Sequence, residues 1–188
     1  MKRTLVIMAA ILLSLPAIVR AEQKAANQQF RQEQKTERQQ HRQTQQQENK
    51  ALRESLQGKT PAEKKAAITQ NRETQYSENK TFNQVQHNEN MAFLKEKLAN
   101  SKLTDAQKSE ISNFYEQQYQ ENVNFRDQRH QENIAFFSQI ANDQNMTMEQ
   151  KKAALKAHHD QQQQENQAHR ATQKGENQTE RAKIKGAK

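Results

Sequence analysis

The chain has 188 residues, a formal net charge of +8, no Cys, three Gly and two Pro, with 31% hydrophobic residues and a mean hydropathy of −1.33. Its 32 Gln and 16 Asn leave too little apolar surface for a large core and place the composition near the border with disorder. The lack of Cys excludes disulfides, thiolate metal sites and a lipid-modified N-terminal Cys, and the scarcity of Gly and Pro predicts few, long elements.

Residues 1–21 read as a secretory signal peptide. Lys2 and Arg3 form a basic start, Leu5 to Leu15 is an apolar run, Pro16 breaks it, and Val19-Arg20-Ala21 offers small residues for cleavage. The segment is too short and wrongly flanked for a membrane span. Its removal takes three basic residues and no acidic ones, so the net charge falls from +8 to +5. The remainder, residues 22–188, reads as one extended helical-repeat domain, periplasmic or secreted, with no transmembrane anchor.

Four helices are expected in this remainder, over 23–56, 61–98, 105–141 and 148 to about 184. Their starts share a cue. Thr60/Glu63, Thr104/Gln107 and Thr147/Gln150 have the capping-box spacing, in which the Thr hydroxyl accepts the third helical N–H and the Glu or Gln side chain reaches back to the Thr N–H. The three boxes stand 44 and 43 residues apart, which marks a repeat. Pro61 suits a first helical position, where its missing N–H costs nothing. The connections are short, so neighbouring helices should run antiparallel. The fold class is thus all-α: long antiparallel helices, up to four, built from a repeat of about 43 residues.

A Glu-Asn tag sharpens the repeat. It occurs at Glu78, Glu89, Glu121, Glu132, Glu165 and Glu176, spaced by 11 within pairs and by 43 or 44 between equivalent tags; Glu48 and Glu37 extend the series into the first copy. Eleven residues are close to three helical turns, so equivalent residues share a face. Four residues after the tag Glu stands Leu52, Phe82, Phe93, Phe125 or Phe136 in five of eight cases. This is a core stripe, and each tag Asn, three residues before its Phe, should border the same interface. A turn centred near Ser101 would pair the second and third helices, with Phe82 facing Tyr119, Tyr76 facing Phe125, Phe93 facing Ile111 and Ile68 facing Phe136. The first and fourth helices carry far fewer apolar residues and are expected to contribute little burial.

No catalytic constellation is legible: there is no Gly-rich phosphate loop and no cysteine nucleophile, and the acidic residues follow the repeat. The protein is not expected to be an enzyme or to need a cofactor. No His pair has the i, i+4 spacing of a one-face chelate, and His158 and His159 point to different sides of their helix, so no metal site is assigned. Lys and Arg are interleaved with Glu rather than clustered, which argues against nucleic acid as a partner.

The string Leu103-Thr-Asp-Ala-Gln-Lys, behind a signal peptide in a basic, all-helical chain, resembles the periplasmic LTXXQ-motif family (Spy/CpxP-like). Met146-Thr-Met-Glu-Gln-Lys is a looser copy, and Lys59-Thr-Pro-Ala-Glu-Lys departs further. The resemblance implies a thin helical protein of the envelope stress response that acts as an ATP-independent chaperone. On that footing the expected function is an exported, chaperone-like or stress-protective binding protein that holds partly unfolded or envelope proteins without ATP. The expected contact residues are Phe114, Tyr115, Tyr119, Phe136 and Phe137, where the third helix carries more apolar side chains than one stripe can bury. The alternative is a structural or self-assembling coiled-coil protein of the envelope, a homo-oligomer pairing through Asn/Gln-lined seams.

Overall fold

A computed structural model describes residues 17–186, with side chains described over 24–184. Four α-helices account for nearly all of it: α1 (Ala17–Ser55), α2 (Pro61–Ala99), α3 (Asp105–Asn142) and α4 (Met148–Gly186). Each has 38 or 39 residues and spans about 58 Å. The expected signal segment lies outside the described residues up to position 16. From Ala17 the chain is already α1, so the helix starts six residues earlier than the sequence pattern predicts. No Gly or Pro between Ala17 and Ser55 interrupts it.

All three capping boxes form. At Thr104 the hydroxyl accepts from Gln107 N and the Gln107 side chain accepts from Thr104 N. Thr60 with Glu63, and Thr147 with Gln150, make the same reciprocal pair. The Thr60 hydrogen bonds hold the Glu63 carboxyl below its ordinary pKa. At the other end of the first connection Gly58 takes φ +74°, a left-handed conformation that a side chain disfavours.

The chain divides into two compact units, at Glu96/Lys97 near the end of α2. One holds α1 and nearly all of α2. The other holds the last residues of α2 with α3 and α4. Each unit contains an antiparallel helical hairpin, and the register of each is simple. In the first, Phe30 meets Phe93 and His41 meets Phe82, so partner numbers sum to 123. In the second, Phe125 meets His169 and Phe136 meets His158, so they sum to 294.

The rings expected to face one another between the second and third helices have stacking partners within their own hairpins: Phe82 on His41, Phe93 on Phe30, Phe125 on His169 and Phe136 on His158. Pairing apolar residues with apolar residues leaves out the imidazoles, whose flat rings stack as well as Phe does. The helices expected to be poor partners, α1 and α4, supply the matching rings as His41, His158 and His169. Fully apolar burial is sparse: Leu94, Leu98, Ile111 and Ile140 are the buried hydrophobic side chains among the described residues.

Candidate functional site

The seam of each hairpin is the most organised chemistry in the molecule. Aromatic rungs recur every 11 residues along every helix, with polar rungs between them. In α1/α2 the rungs are Phe30–Phe93 (ring centroids 4.2 Å) and His41–Phe82 (4.3 Å, rings within 5° of parallel). In α3/α4 they are Phe125–His169 (4.1 Å) and Phe136–His158 (3.9 Å).

Each imidazole also meets a tag Asn on the opposite helix. His41 Nε2 lies 3.0 Å from Asn79 Oδ1, His158 Nε2 2.8 Å from Asn133 Oδ1, and His169 Nε2 3.2 Å from Asn122 Oδ1. Asn79 and Asn122 spend an Nδ2 proton on the carbonyls of Gln75 and Gln118 in their own helices. Their Oδ1 atoms are thereby turned to the rings, and the imidazole Nε2 donates. At Asn79, Asn122 and Asn133 the tag is therefore one half of a composite motif: the Asn orients the His and the Phe three residues later covers it.

The polar rungs are amide and carboxylate networks. Buried Gln34 donates to Glu89 Oε2 (2.9 Å), Arg38 donates to Gln86 Oε1 (3.0 Å), and Gln86 donates to Glu37. Desolvation, and then the nearby Glu37 carboxylate, raises the pKa of Glu89. In the second hairpin Gln118 bonds Glu176, and Asn177 bonds Gln118 (3.1 Å). Arg129, 8% exposed, pairs with Glu165 on α4 and with Glu132 (3.1 Å) on its own helix, while its Nε and Nη2 have no partner.

The five contact residues expected on α3 are all half-buried. Phe136 is a seam rung. Phe137 sits edge-on to Phe136 and to His158, and Phe114 sits edge-on to Tyr115. Burial raises the pKa of the Tyr115 phenol, partly opposed by Arg181 of α4. Tyr119 is half-buried too. Among the described residues the large apolar side chains that are exposed are others: Val85 (47%), Ile134 (45%), Met148 (64%) and Leu155 (38%).

Val85 borders an open groove of about 480 Å³ beside the His41–Phe82 rung, with Thr44, Glu48 and Thr81 along its walls. Among the described residues no three His, Asp or Glu side chains gather as a metal site, and no helix is long and apolar enough to cross a membrane. The histidines are the residues that sequence reasoning passed over. Their signal was present: His41 and His169 stand four residues after Glu37 and Glu165, at the positions that carry Phe elsewhere in the repeat.

No family model, curated protein or solved structure matches this chain.

Proposed function

We propose that this is an exported helical binding protein, chaperone-like or stress-protective, that holds partly unfolded envelope proteins without ATP. The observation that carries the reading is the lean seam, in which half-buried rings are separated by amide and carboxylate rungs and few apolar side chains are fully enclosed. Such a seam opens at small cost, because its polar rungs exchange one another for water while only the rings lose burial. Tyr115 and Phe136 are rings of that kind, Phe114 and Phe137 lean against them, and Val85 with Ile134 adds apolar surface already outside. Weak apolar contacts flanked by mobile Lys, Arg and Gln suit a partner without fixed shape. The signal-peptide pattern of residues 1–21 and the Leu103-Thr-Asp-Ala-Gln resemblance support a periplasmic setting.

The test is light scattering of a reduced, unfolding client, with the chain lacking residues 1–21 and with a basic helical protein of equal charge as control. Suppression of aggregation near stoichiometry, without ATP and beyond the control, is expected. A Tyr115→Ala/Phe136→Ala variant that retains helicity should suppress less. Equal scattering with and without the protein refutes the reading.

A further inference from the structure

We infer that the α3/α4 hairpin exchanges partners between two copies of this chain, opening into one continuous helix that pairs antiparallel with the same helix of a second copy. The inference rests on register. Four cross-seam pairs of this hairpin, Gln118–Glu176, Phe125–His169, Arg129–Glu165 and Phe136–His158, have residue numbers that all sum to 294. The centre of that relation is Thr147, inside the connection between the helices. Two straight helices laid antiparallel about a twofold axis at Thr147 would therefore make every one of these contacts again. Phe125 would stack on His169 of the second copy, and Arg129 would pair with the second copy's Glu165.

Exchange also requires that the seam stay on one face when the connection straightens. The ring positions 125, 136, 158 and 169 continue through 147 at an unbroken interval of 11 residues. Eleven residues make close to three turns, so the face is preserved across the former turn. Half-buried Lys151 and Ala154 fill the phase between Thr147 and His158. The connection itself, Asp143–Thr147, contains neither Gly nor Pro, and its backbone has no positive-φ residue. The resulting helix would run from Asp105 to Gly186, 82 residues or about 123 Å.

The first hairpin shows what is specific about the second. From His41 to Phe82 is 41 residues, three short of four intervals of 11. A straightened α1/α2 helix would thus turn its two seams apart by about 60°. Gly58, at φ +74°, stands in that connection and Pro61 opens α2 after it, and Pro61 would remove a donor from the middle of such a helix. The two hairpins are similar in rungs and differ in whether their connection can vanish.

What opposes exchange is local: the Thr147/Gln150 capping box and the Asp143 carboxylate accepting from Asn145 N. These contacts define two opposed variants. Asp143 already has the extended conformation (φ −75°, ψ 107°) that a residue before proline adopts, so Gln144→Pro suits the hairpin and breaks the continuous helix. Asp143→Ala/Asn145→Ala/Thr147→Ala removes the caps and raises helix propensity.

Mass is measured by light scattering across a hundredfold range of concentration, with helicity followed by circular dichroism. The triple alanine variant should dimerise at least tenfold more readily than the Gln144→Pro chain, with the unaltered chain between them. The same midpoint in all three overturns the inference. A second measurement does not depend on either loop variant. Spin labels at Gln117→Cys and Gln178→Cys, in a chain with no other Cys, lie close together in the hairpin. When a trace of labelled chain is mixed into an excess of unlabelled chain under dimerising conditions, exchange abolishes the short distance and leaves a separation of about 90 Å. Survival of the short distance in the dimer overturns the inference.

Discussion

Replacing Arg129 with Met should stabilise the α3/α4 hairpin although it deletes an ion pair. The Arg129 side chain is 10% exposed, whereas its partners Glu132 and Glu165 are 40% and 41% exposed. One amino group, Nη1, serves both carboxylates, and Nε and Nη2 are buried without partners. Two buried nitrogens left unsatisfied cost about 1–3 kcal/mol each. Against this stand carboxylates so exposed that water screens their attraction, together worth about 1 kcal/mol, and the guanidinium 5.8 Å from the Phe125 ring, worth about 0.5–1 kcal/mol. At the middle of these ranges the difference favours Met by about 2 kcal/mol, because Met fills similar space with nothing to desolvate. Neither carboxylate is orphaned by the change: Gln128 still donates to Glu132 (2.8 Å) and Gln161 to Glu165 (2.9 Å). Gln86, the repeat-equivalent of Arg129, shows that this seam position accepts a neutral residue. Urea unfolding followed by circular dichroism gives the free-energy change. A loss of 1 kcal/mol or more would refute the reasoning and show that the buried ion pair is a net stabiliser.

Other consequences follow from the same seams. Phe136→Ala removes a half-buried ring, about 100 Å² of apolar burial, and should cost about 2–3 kcal/mol by urea unfolding. Thr104→Ala, which deletes one half of a complete capping box, should cost about 1 kcal/mol, with the loss measured by thermal melts against the unaltered chain. Glu89→Gln should stabilise the first hairpin at neutral pH, since burial and Glu37 both disfavour the Glu89 charge. A carboxyl whose pKa is raised in the fold gives its full stability below the unfolded range and loses it as pH rises through the folded value. The advantage of Glu89→Gln should therefore vanish when melts are run below about pH 4. Glu132 has the opposite sign: its carboxyl is held low, first by Gln128 and then by Arg129. Its contribution is present above the unfolded range and lost as pH falls through the folded value, so Glu132→Gln should flatten the acid limb of the stability profile.

The sequence by itself determined the elements. Gly and Pro are rare enough that only capped starts can interrupt a helix, so Thr60, Thr104 and Thr147 fixed where α2, α3 and α4 begin. The 11-residue tag fixed which residues share a face, because three turns of helix bring the chain back to the same side. It also placed Asn79, Asn122 and Asn133 beside the rings they border. Which helix pairs with which was decided only by tertiary structure. Phe82 has an apolar partner at Tyr119 on paper, yet it stacks on His41, because a His anchored by Asn79 offers a flat ring and a satisfied N–H together. An apolar count on α1 and α4 misses this, since hydropathy ranks His with the polar residues while stacking depends on its ring. The exposure of the expected contact residues was likewise a tertiary matter. Adjacent Phe136 and Phe137 diverge around the helix, but both rings fold against His158, and among the described residues the large apolar groups left outside are Val85, Ile134, Met148 and Leu155.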